Sequence, residues 1–292
     1  MHYLKYFVLL PLTIILLNCD SNNEKMHFTA VLEGTVVKVP ALTGGQIVRQ
    51  YVDTGDEVYN NQILMVVDST ELLLQRRQLR AVLSELQVQT GIARANLERV
   101  SKDREYIQTK YNRIARLYQT NSVPQQNYDD IKNQLENIST SQLTARQQLQ
   151  SLAAKREQIV AQIDLLDKKI SDSIIRSPLN GLVATKYYEQ GEAVGIMQPA
   201  VEIIDIRKVE AKIYISEQLL AQIKYNQEVQ VRIDGLDQVL TGRISWISPK
   251  AEFTPKSILT PETRTSLVYA VKIIIDNPDQ ILKHGMPVVI EL

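Results

Sequence analysis

The apolar residues in the central part of the chain recur with a period of seven. Between residues 69 and 172 they fall three, four or seven positions apart, which is the seam of an α-helical coiled coil. The first run contains Leu72, Leu79, Leu83, Leu86, Ala93, Leu97, Val100, Ile107, Tyr111, Ile114 and Tyr118, and the second Tyr128, Ile131, Leu135, Ile138, Ala145, Leu149, Leu152, Ile159, Ile163, Leu166 and Ile170. Polar layers that usually fix the register of such a seam are formed by Arg76, Arg104, Gln142 and Arg156. The pattern predicts two long helices.

One break separates the two runs, in the stretch "RIARLYQTNSVPQQNYDD". We expect the chain to reverse at about residues 118–125, with Pro124 in the first turn of the second helix and Ser122 or Asn121 near its cap. Two arms of about 50 residues then form an antiparallel hairpin about 75 Å long. The alternative, a four-helix bundle, would need more breaks than the segment contains.

The segments 40–68 and 173–206, on either side of the predicted hairpin, share one template. Each has alternating apolar residues, a glycine at Gly45 or Gly181, and ten positions later a second glycine, Gly55 or Gly191, followed by an acidic residue. Short strands with such turns are typical of β-hairpins. The repeat predicts two halves of one small β-sandwich with the helical hairpin inserted between them.

This template is similar to that of the biotinyl and lipoyl carrier domains, whose cofactor is attached to a lysine at a hairpin tip. No lysine lies between Lys38 and Lys102, and Lys186 in the second copy falls inside a predicted strand. We therefore predict a lipoyl-like sandwich with no cofactor.

The last segment, residues 207–292, has several alternating strands and one short amphipathic stretch. It predicts a small barrel of about six strands, to which an N-terminal strand at 28–39 contributes. The predicted fold class is α+β: an elongated molecule with a split sandwich, an inserted coiled-coil hairpin and a following β-barrel.

Composition excludes several classes of function. The 33 basic and 33 acidic residues balance, so no net field recruits nucleic acid. Three histidines and one cysteine provide no metal cluster of recognisable spacing. No Ser/His/Asp set and no phosphate-binding glycine loop appears in the sequence, and we predict a protein that is not an enzyme.

The N-terminal segment 1–19 has the features of an export signal. An apolar run of about a dozen residues is shorter than the roughly 20 residues that a membrane span requires. It ends at "LLNC", which resembles a bacterial lipobox and implies lipid attachment at Cys19, although Asn18 departs from the usual small residue. An ordinary signal peptide or a short membrane anchor is the alternative. Residues 20–27 then form a linker.

The order of split sandwich, inserted hairpin and barrel resembles the HlyD-like membrane fusion proteins, which are periplasmic adaptor subunits of Gram-negative efflux and secretion systems. The run from residue 251 to residue 292 resembles the subset associated with ABC transporters. The resemblance implies a periplasmic, non-catalytic protein held at the inner membrane through its N-terminus. It also implies three partners: an inner-membrane transporter with ABC permease and ATPase, a TolC-like outer-membrane channel, and further copies in a ring, usually of six.

The resemblance also implies site residues. Arg113 and Leu117 match the Arg and Leu of the family's channel-contacting tip motif, but Pro124 stands where the family has serine, and Ser122 lies two residues earlier. Arg116 competes with Arg113 for the contact, and Leu117 could instead pack under the turn. Gln198 matches a loop glutamine that narrows the conduit, or is an ordinary solvated side chain. The alternative function is a scaffolding lipoprotein whose hairpin binds another envelope partner.

Overall fold

The computed structural model describes residues 26–235, 239–253 and 267–292. The predicted signal segment, Cys19 and most of the predicted linker lie outside these residues. The elements, in chain order, are β1 (His27–Pro40), β2 (Gly45–Gln50), β3 (Glu57–Val58), β4 (Ile63–Val67), α1 (Thr70–Gln119), α2 (Gln125–Asp172), β5 (Ile174–Arg176), β6 (Gly181–Lys186), β7 (Ala193–Val194), β8 (Pro199–Ser216), α3 (Glu217–Leu220), β9 (Glu228–Arg232), β10 (Leu240–Ile247), β11 (Glu252–Phe253), β12 (Leu267–Asp276) and β13 (Pro287–Glu291).

These elements form two compact units. One extends from Val36 to Asp205 and contains the sandwich and the helical hairpin, whereas the other combines the residues up to Thr35 with Ile206–Leu292. The strands β1 and β8 contribute residues to both units.

The sandwich consists of two interlocked copies of one pattern, 136 positions apart, as Gly45 and Gly181 are. In the first copy the amide of Gly55 donates to the carbonyl of Val183 at 2.8 Å, and in the second the amide of Gly191 donates to the carbonyl of Ile47 at 2.8 Å. The turn of each copy is thus held by a strand of the other. Each copy thus satisfies backbone groups of the other.

The core of the sandwich contains side chains from both copies. Its fully buried side chains include Ile47, Val58, Leu64, Met65, Val67, Ala200, Val201 and Ile203. Gly181 allows two strands to approach closely, because a Cβ there would lie 2.6 Å from the carbonyl oxygen of Ile204. In the repeat of glycines, Gly181 thus marks a close backbone contact, whereas Gly55 and Gly191 have positive φ values of 95° and 98°.

The helices α1 and α2, of 50 and 48 residues, form the hairpin. Their buried residues are all seam positions: Leu86 and Val100 in α1, and Ile131, Ala145, Leu152, Ile159, Ile163 and Leu166 in α2. At a rise of about 1.5 Å per residue each arm is about 75 Å long.

Three of the four polar layers make hydrogen bonds across the hairpin. A guanidinium nitrogen of Arg76 lies 2.6 Å from Oδ1 of Asp167. The amide of Gln142 donates to the hydroxyl of Ser101 at 3.0 Å, and Nε of Arg104 donates to Ser139 at 3.4 Å. Arg156, the fourth layer, is exposed. These paired groups fix the register of the two helices, because a shift of one turn would leave them without partners.

The second unit is a closed β-barrel. Its strands follow the order β12, β10, β9, β13, β1, β8 and back to β12, and β11 pairs with β12 outside the ring. Inside, the amide of Asn277 donates to the carbonyls of Ile206 and Leu282, and its oxygen accepts from the amide of Leu282. The predicted α+β fold, with a helical hairpin, a split sandwich and a β-barrel, is confirmed.

Candidate functional site at the hairpin tip

The helix α1 ends in a Schellman motif. Asn121 has a φ of 53°, in the left-handed region where asparagine is tolerated better than most residues. Its amide donates to the carbonyl of Tyr118 at 3.0 Å, and the amide of Ser122 donates to the carbonyl of Leu117 at 2.8 Å. The chain is thus turned sharply without a glycine.

The helix α2 begins at Gln125, and Pro124 occupies its N-cap position with a ψ of 149°. This corrects the predicted position of Pro124 within the first turn by one residue. Neither Asn121 nor Ser122 caps the helix, since α2 has no side-chain cap hydrogen bond. The hydroxyl of Ser122 instead lies 3.0 Å from that of Thr120. The extended conformation at Pro124 separates the two helices. A proline disfavours helix in the residue before it, whereas its own φ is compatible with the start of the next helix.

A cluster of three tyrosines joins the arms directly below the turn. The rings of Tyr118 and Tyr128 stack with centroids 4.9 Å apart, and the hydroxyls of Tyr111 and Tyr128 lie 3.1 Å apart. That hydrogen bond to Tyr111 raises the pKa of Tyr128 above its ordinary value. Aromatic pairs of this kind contribute about 0.5–1.5 kcal/mol beyond their buried area. The heptad pattern placed these residues on the seam, but no signal in the sequence indicated that they touch one another.

The tip exposes the two side chains that match the family motif. Leu117 leaves 41% of its surface exposed, which argues against a role purely in packing under the turn. Arg113 is exposed one helical turn earlier and has no hydrogen-bond or ion-pair partner within the described part of the chain. Nε of Arg116 donates to the carbonyl of Asn112 at 3.2 Å, so this competing arginine is tied to its own helix. Pro124 and Ser122 are also exposed.

Gln198 belongs to a separate feature, a turn of the sandwich at residues 195–198. Its side chain is exposed, and the preceding Ile196 and Met197 leave 68% and 66% of their surfaces exposed. Met197 has a φ of 62°, a conformation that costs a residue other than glycine or asparagine strain energy. The structure therefore does not bring Gln198 together with the tip residues; it presents the glutamine next to an exposed apolar pair.

Two further properties of the described residues are their metal-ligating side chains and their possible membrane spans. Among residues 26–235, 239–253 and 267–292, no group of His, Cys, Asp and Glu side chains is arranged to hold a metal ion. The same residues contain no helix that is both long and apolar enough to cross a membrane. The hairpin tip presents an exposed leucine, Leu117, and the exposed guanidinium of Arg113 at the end of two long helices.

Comparison with known proteins identifies the fold. No family model matches the chain. A protein of Yersinia pseudotuberculosis named "UPF0194 membrane protein" is 29% identical, over 93% of this chain and 90% of its own length. The crystal structure of MacA from Actinobacillus actinomycetemcomitans superimposes with a TM-score of 0.65 at 22% identity, over 91% of this chain and 78% of MacA. The membrane fusion protein Spr0693 of Streptococcus pneumoniae R6 superimposes with a TM-score of 0.50 at 20% identity, over 91% of this chain and 99% of Spr0693.

The chain has the fold of MacA and of the membrane fusion protein Spr0693. The likeness extends over most of the chain and includes sandwich, hairpin and barrel. The membrane fusion protein fold accounts for the long insertion between the two halves of a small domain. It does not by itself assign the contacts of Arg113, Leu117 or Gln198, which depend on the partners of each protein.

Proposed function

We propose that the chain is a non-catalytic periplasmic adaptor that joins an inner-membrane transporter of the ABC type to a TolC-like outer-membrane channel. Lipid attachment at Cys19 holds it at the inner membrane, and six copies form a ring around a conduit. The observation that supports the proposal most directly is the tip. Exposed Leu117 and unpaired Arg113 lie there, next to the reversal between two helices of 50 and 48 residues.

The tip is suited to helical hairpins of a channel for a simple physical reason. A leucine side chain fills a groove between two helices, and a guanidinium donates several hydrogen bonds to the carbonyls at a helix end. Pro124, in place of the family's serine, removes a hydroxyl donor from this surface, and the adjacent Ser122 hydroxyl is engaged with Thr120. The contact therefore depends on Arg113 and Leu117.

In a ring, the turn at residues 195–198 lies at the conduit and Gln198 narrows it. The side chain of Gln198 makes no hydrogen bond within the described part of the chain, and it is therefore available to a passing molecule or to a neighbouring copy. Substitution of Gln198 by alanine is expected to alter the rate of export but not assembly.

The decisive experiment tests the contact with the channel and the contact with the transporter separately. We expect Leu117→Asp to abolish crosslinking to the outer-membrane channel while the tagged protein still copurifies with its transporter. Ile92→Asp is the matched control, because Ile92 is a more exposed apolar residue on the shaft of the same hairpin. Thermal unfolding, followed by circular dichroism, checks that both variants retain the helices.

Two outcomes would contradict the proposal. Unchanged crosslinking of the Leu117→Asp protein to the channel would remove the assigned role of the tip. Recovery of the protein from membranes without any transporter would favour the alternative, a scaffolding lipoprotein with another envelope partner.

A further inference from the structure

The barrel carries a cavity on its outer face to which the proposed function assigns no role. It has a volume of about 240 Å³ and lies over the strands β8, β12 and β10, beside the loop that follows α3. The side chains that matter for its chemistry are Lys208, Tyr225, Asn226, Arg243, Ile274 and Asp276.

The pairing of the strands places these side chains on one face. Arg243 of β10 lies opposite Ile274 of β12, and Asp276 of β12 lies opposite Lys208 of β8. Successive residues of a strand point to opposite faces. Ile273 and Ile275 are buried in the barrel, so Ile274 and Asp276 face outward.

The charges of the cavity favour an anion. Nζ of Lys208 lies 3.8 Å from Oδ1 of Asp276, and both groups are largely exposed. Arg243 has no hydrogen-bond or ion-pair partner among the residues that the structure describes. The charged residues that line the cavity are thus two cations and one carboxylate, whereas Glu228, opposite Arg243 on β9, does not line it. A guanidinium fork matches the two oxygens of a carboxylate or phosphate group.

The apolar part of the cavity indicates a ligand that has a hydrophobic body as well as a charged group. Tyr225 leaves 74% of its surface exposed at the edge of the cavity, and Ile274 lies between Arg243 and the next strand. An aromatic ring with a free face and a neighbouring aliphatic side chain can cover a small hydrophobic body.

We propose that this cavity binds a small amphipathic organic anion. Its carboxylate or phosphate group contacts Arg243 and Lys208, and its apolar body lies against Tyr225 and Ile274. The amide of Asn226 provides a further hydrogen bond. The proposed adaptor function assigns no role to this site, so the inference goes beyond it.

The chain contains a natural reporter for the test. Trp246, its single tryptophan, lies on β10 three residues after Arg243 and is partly exposed. Benzoate serves as the probe, since it combines a carboxylate with an aromatic ring. Benzyl alcohol is its uncharged counterpart, and inorganic phosphate carries charge without an apolar body. Binding to the full-length protein is measured by calorimetry and by the fluorescence of Trp246.

We expect saturable binding of benzoate at one site, and affinities at least tenfold lower for benzyl alcohol and for phosphate. Arg243→Gln is expected to weaken benzoate binding about tenfold, because the charged hydrogen bonds between the guanidinium and the carboxylate are lost. Tyr225→Ala weakens benzoate binding without changing the affinity for phosphate. Lys212→Gln is the matched control: Lys212 is an exposed lysine of the same strand as Lys208 but does not line the cavity.

Each of three results would overturn the proposal. They are the absence of saturable benzoate binding, equal affinities of the wild-type and Arg243→Gln proteins, and phosphate binding as tight as that of benzoate. Equal melting temperatures of all variants would show that any loss of binding comes from the cavity and not from unfolding.

Discussion

The turns at residues 59–62 and 195–198 have the same backbone but different side chains. The amide of Asn61 donates to the carbonyl of Ser177 at 2.7 Å, and the amide of Met197 donates to that of Ala41 at 2.7 Å. Asn61 has a φ of 69° and Met197 a φ of 62°. The first turn uses asparagine, which tolerates this conformation, whereas the second keeps an exposed methionine there. Strain of this kind persists mainly where a function requires the side chain.

The glutamines at the ends of the two turns, Gln62 and Gln198, also differ in whether their side chains are held by a hydrogen bond. Oε1 of Gln62 accepts a hydrogen bond from the amide of Tyr59 at 2.9 Å, which holds the side chain on its own turn. Gln198 has no such bond among the described residues. Two copies with one fold have therefore diverged at the surface, and the second copy is the one that presents side chains outward. This difference supports the proposed position of Gln198 at the conduit.

The largest expected effect concerns the unequal cores of the two copies. Leu64 is fully buried, and its counterpart 136 positions later is the buried Ala200. We expect Leu64→Ala to lower the free energy of opening of the sandwich by about 2–5 kcal/mol, because a cavity remains. Ala200→Leu overpacks the other side and costs about 1–3 kcal/mol. Amide hydrogen exchange in the sandwich strands measures the loss of stability in both variants. An Ala200→Leu variant as stable as the wild type would contradict the expectation that the core has no room for a larger side chain at this position.

The glycines of the two acidic turns test how equivalent the copies are. Gly55 and Gly191 have φ values of 95° and 98°, and a Cβ at either would meet no atom within 4 Å. Alanine at each position is expected to cost about 1–3 kcal/mol through backbone strain alone. The two costs should agree, and hydrogen exchange measures them separately. A clear difference between them would show that the copies are not equivalent in energy.

Exchanging the residues at the strained positions is expected to have opposite effects. Met197→Asn should stabilise the sandwich by about 1 kcal/mol, and Asn61→Met should destabilise it by a similar amount, because only the backbone strain changes at these exposed sites. Thermal unfolding of both variants measures the shift. If Met197→Asn were also destabilising, the exposed methionine would have to make a stabilising contact within the chain.

The smallest effect concerns one charged group that only the second copy has. The side chain of Lys186 is 9% exposed and lies 2.7 Å from Asp53 and 2.9 Å from Glu189, whereas its counterpart in the first copy is the uncharged Gln50. The hydrogen bond to Asp53 raises the pKa of Lys186, and the same bond lowers the pKa of Asp53.

These two pKa shifts define the pH range in which the ion pair of Lys186 and Asp53 stabilises the fold. Its contribution is present below the ordinary lysine pKa of about 10.4, and that of Asp53 is present above about pH 3.9 and is lost as the carboxylate becomes protonated. We expect Lys186→Gln to lower the melting temperature by a few degrees at pH 7 and by less at pH 3. A difference independent of pH would argue against the ion pair as the cause.

Much of the fold could be predicted because its signals are local. The seven-residue spacing of Leu86, Val100, Ile159 and other residues is enough to specify a coiled coil, and one proline is enough to mark its reversal. The paired glycines similarly identified the two copies. The structure reverses the chain between Gln119 and Gln125, and Asn121, one of the two residues expected near the cap of α2, makes the left-handed turn instead.

The features that could not be predicted depend on residues far apart in the chain. Lys186 was expected inside a strand, but nothing in the sequence indicates that it reaches Asp53, 133 positions away. The stacking of Tyr118 on Tyr128 requires the exact geometry of the reversal. The barrel cavity depends on the registers of three strands, which alternation of apolar residues cannot determine by itself.

By itself, the sequence determined the order of the parts, the two long helices, the single reversal and the duplicated sandwich, because each follows from a periodicity or a turn residue within a short window. Only the tertiary structure decided which groups meet: the exchange of backbone hydrogen bonds between the copies, the ion pairs of Lys186, and the cations around the cavity. The reason is physical. Such contacts are set by strand register and helix packing over more than one hundred residues, and no local pattern contains that information.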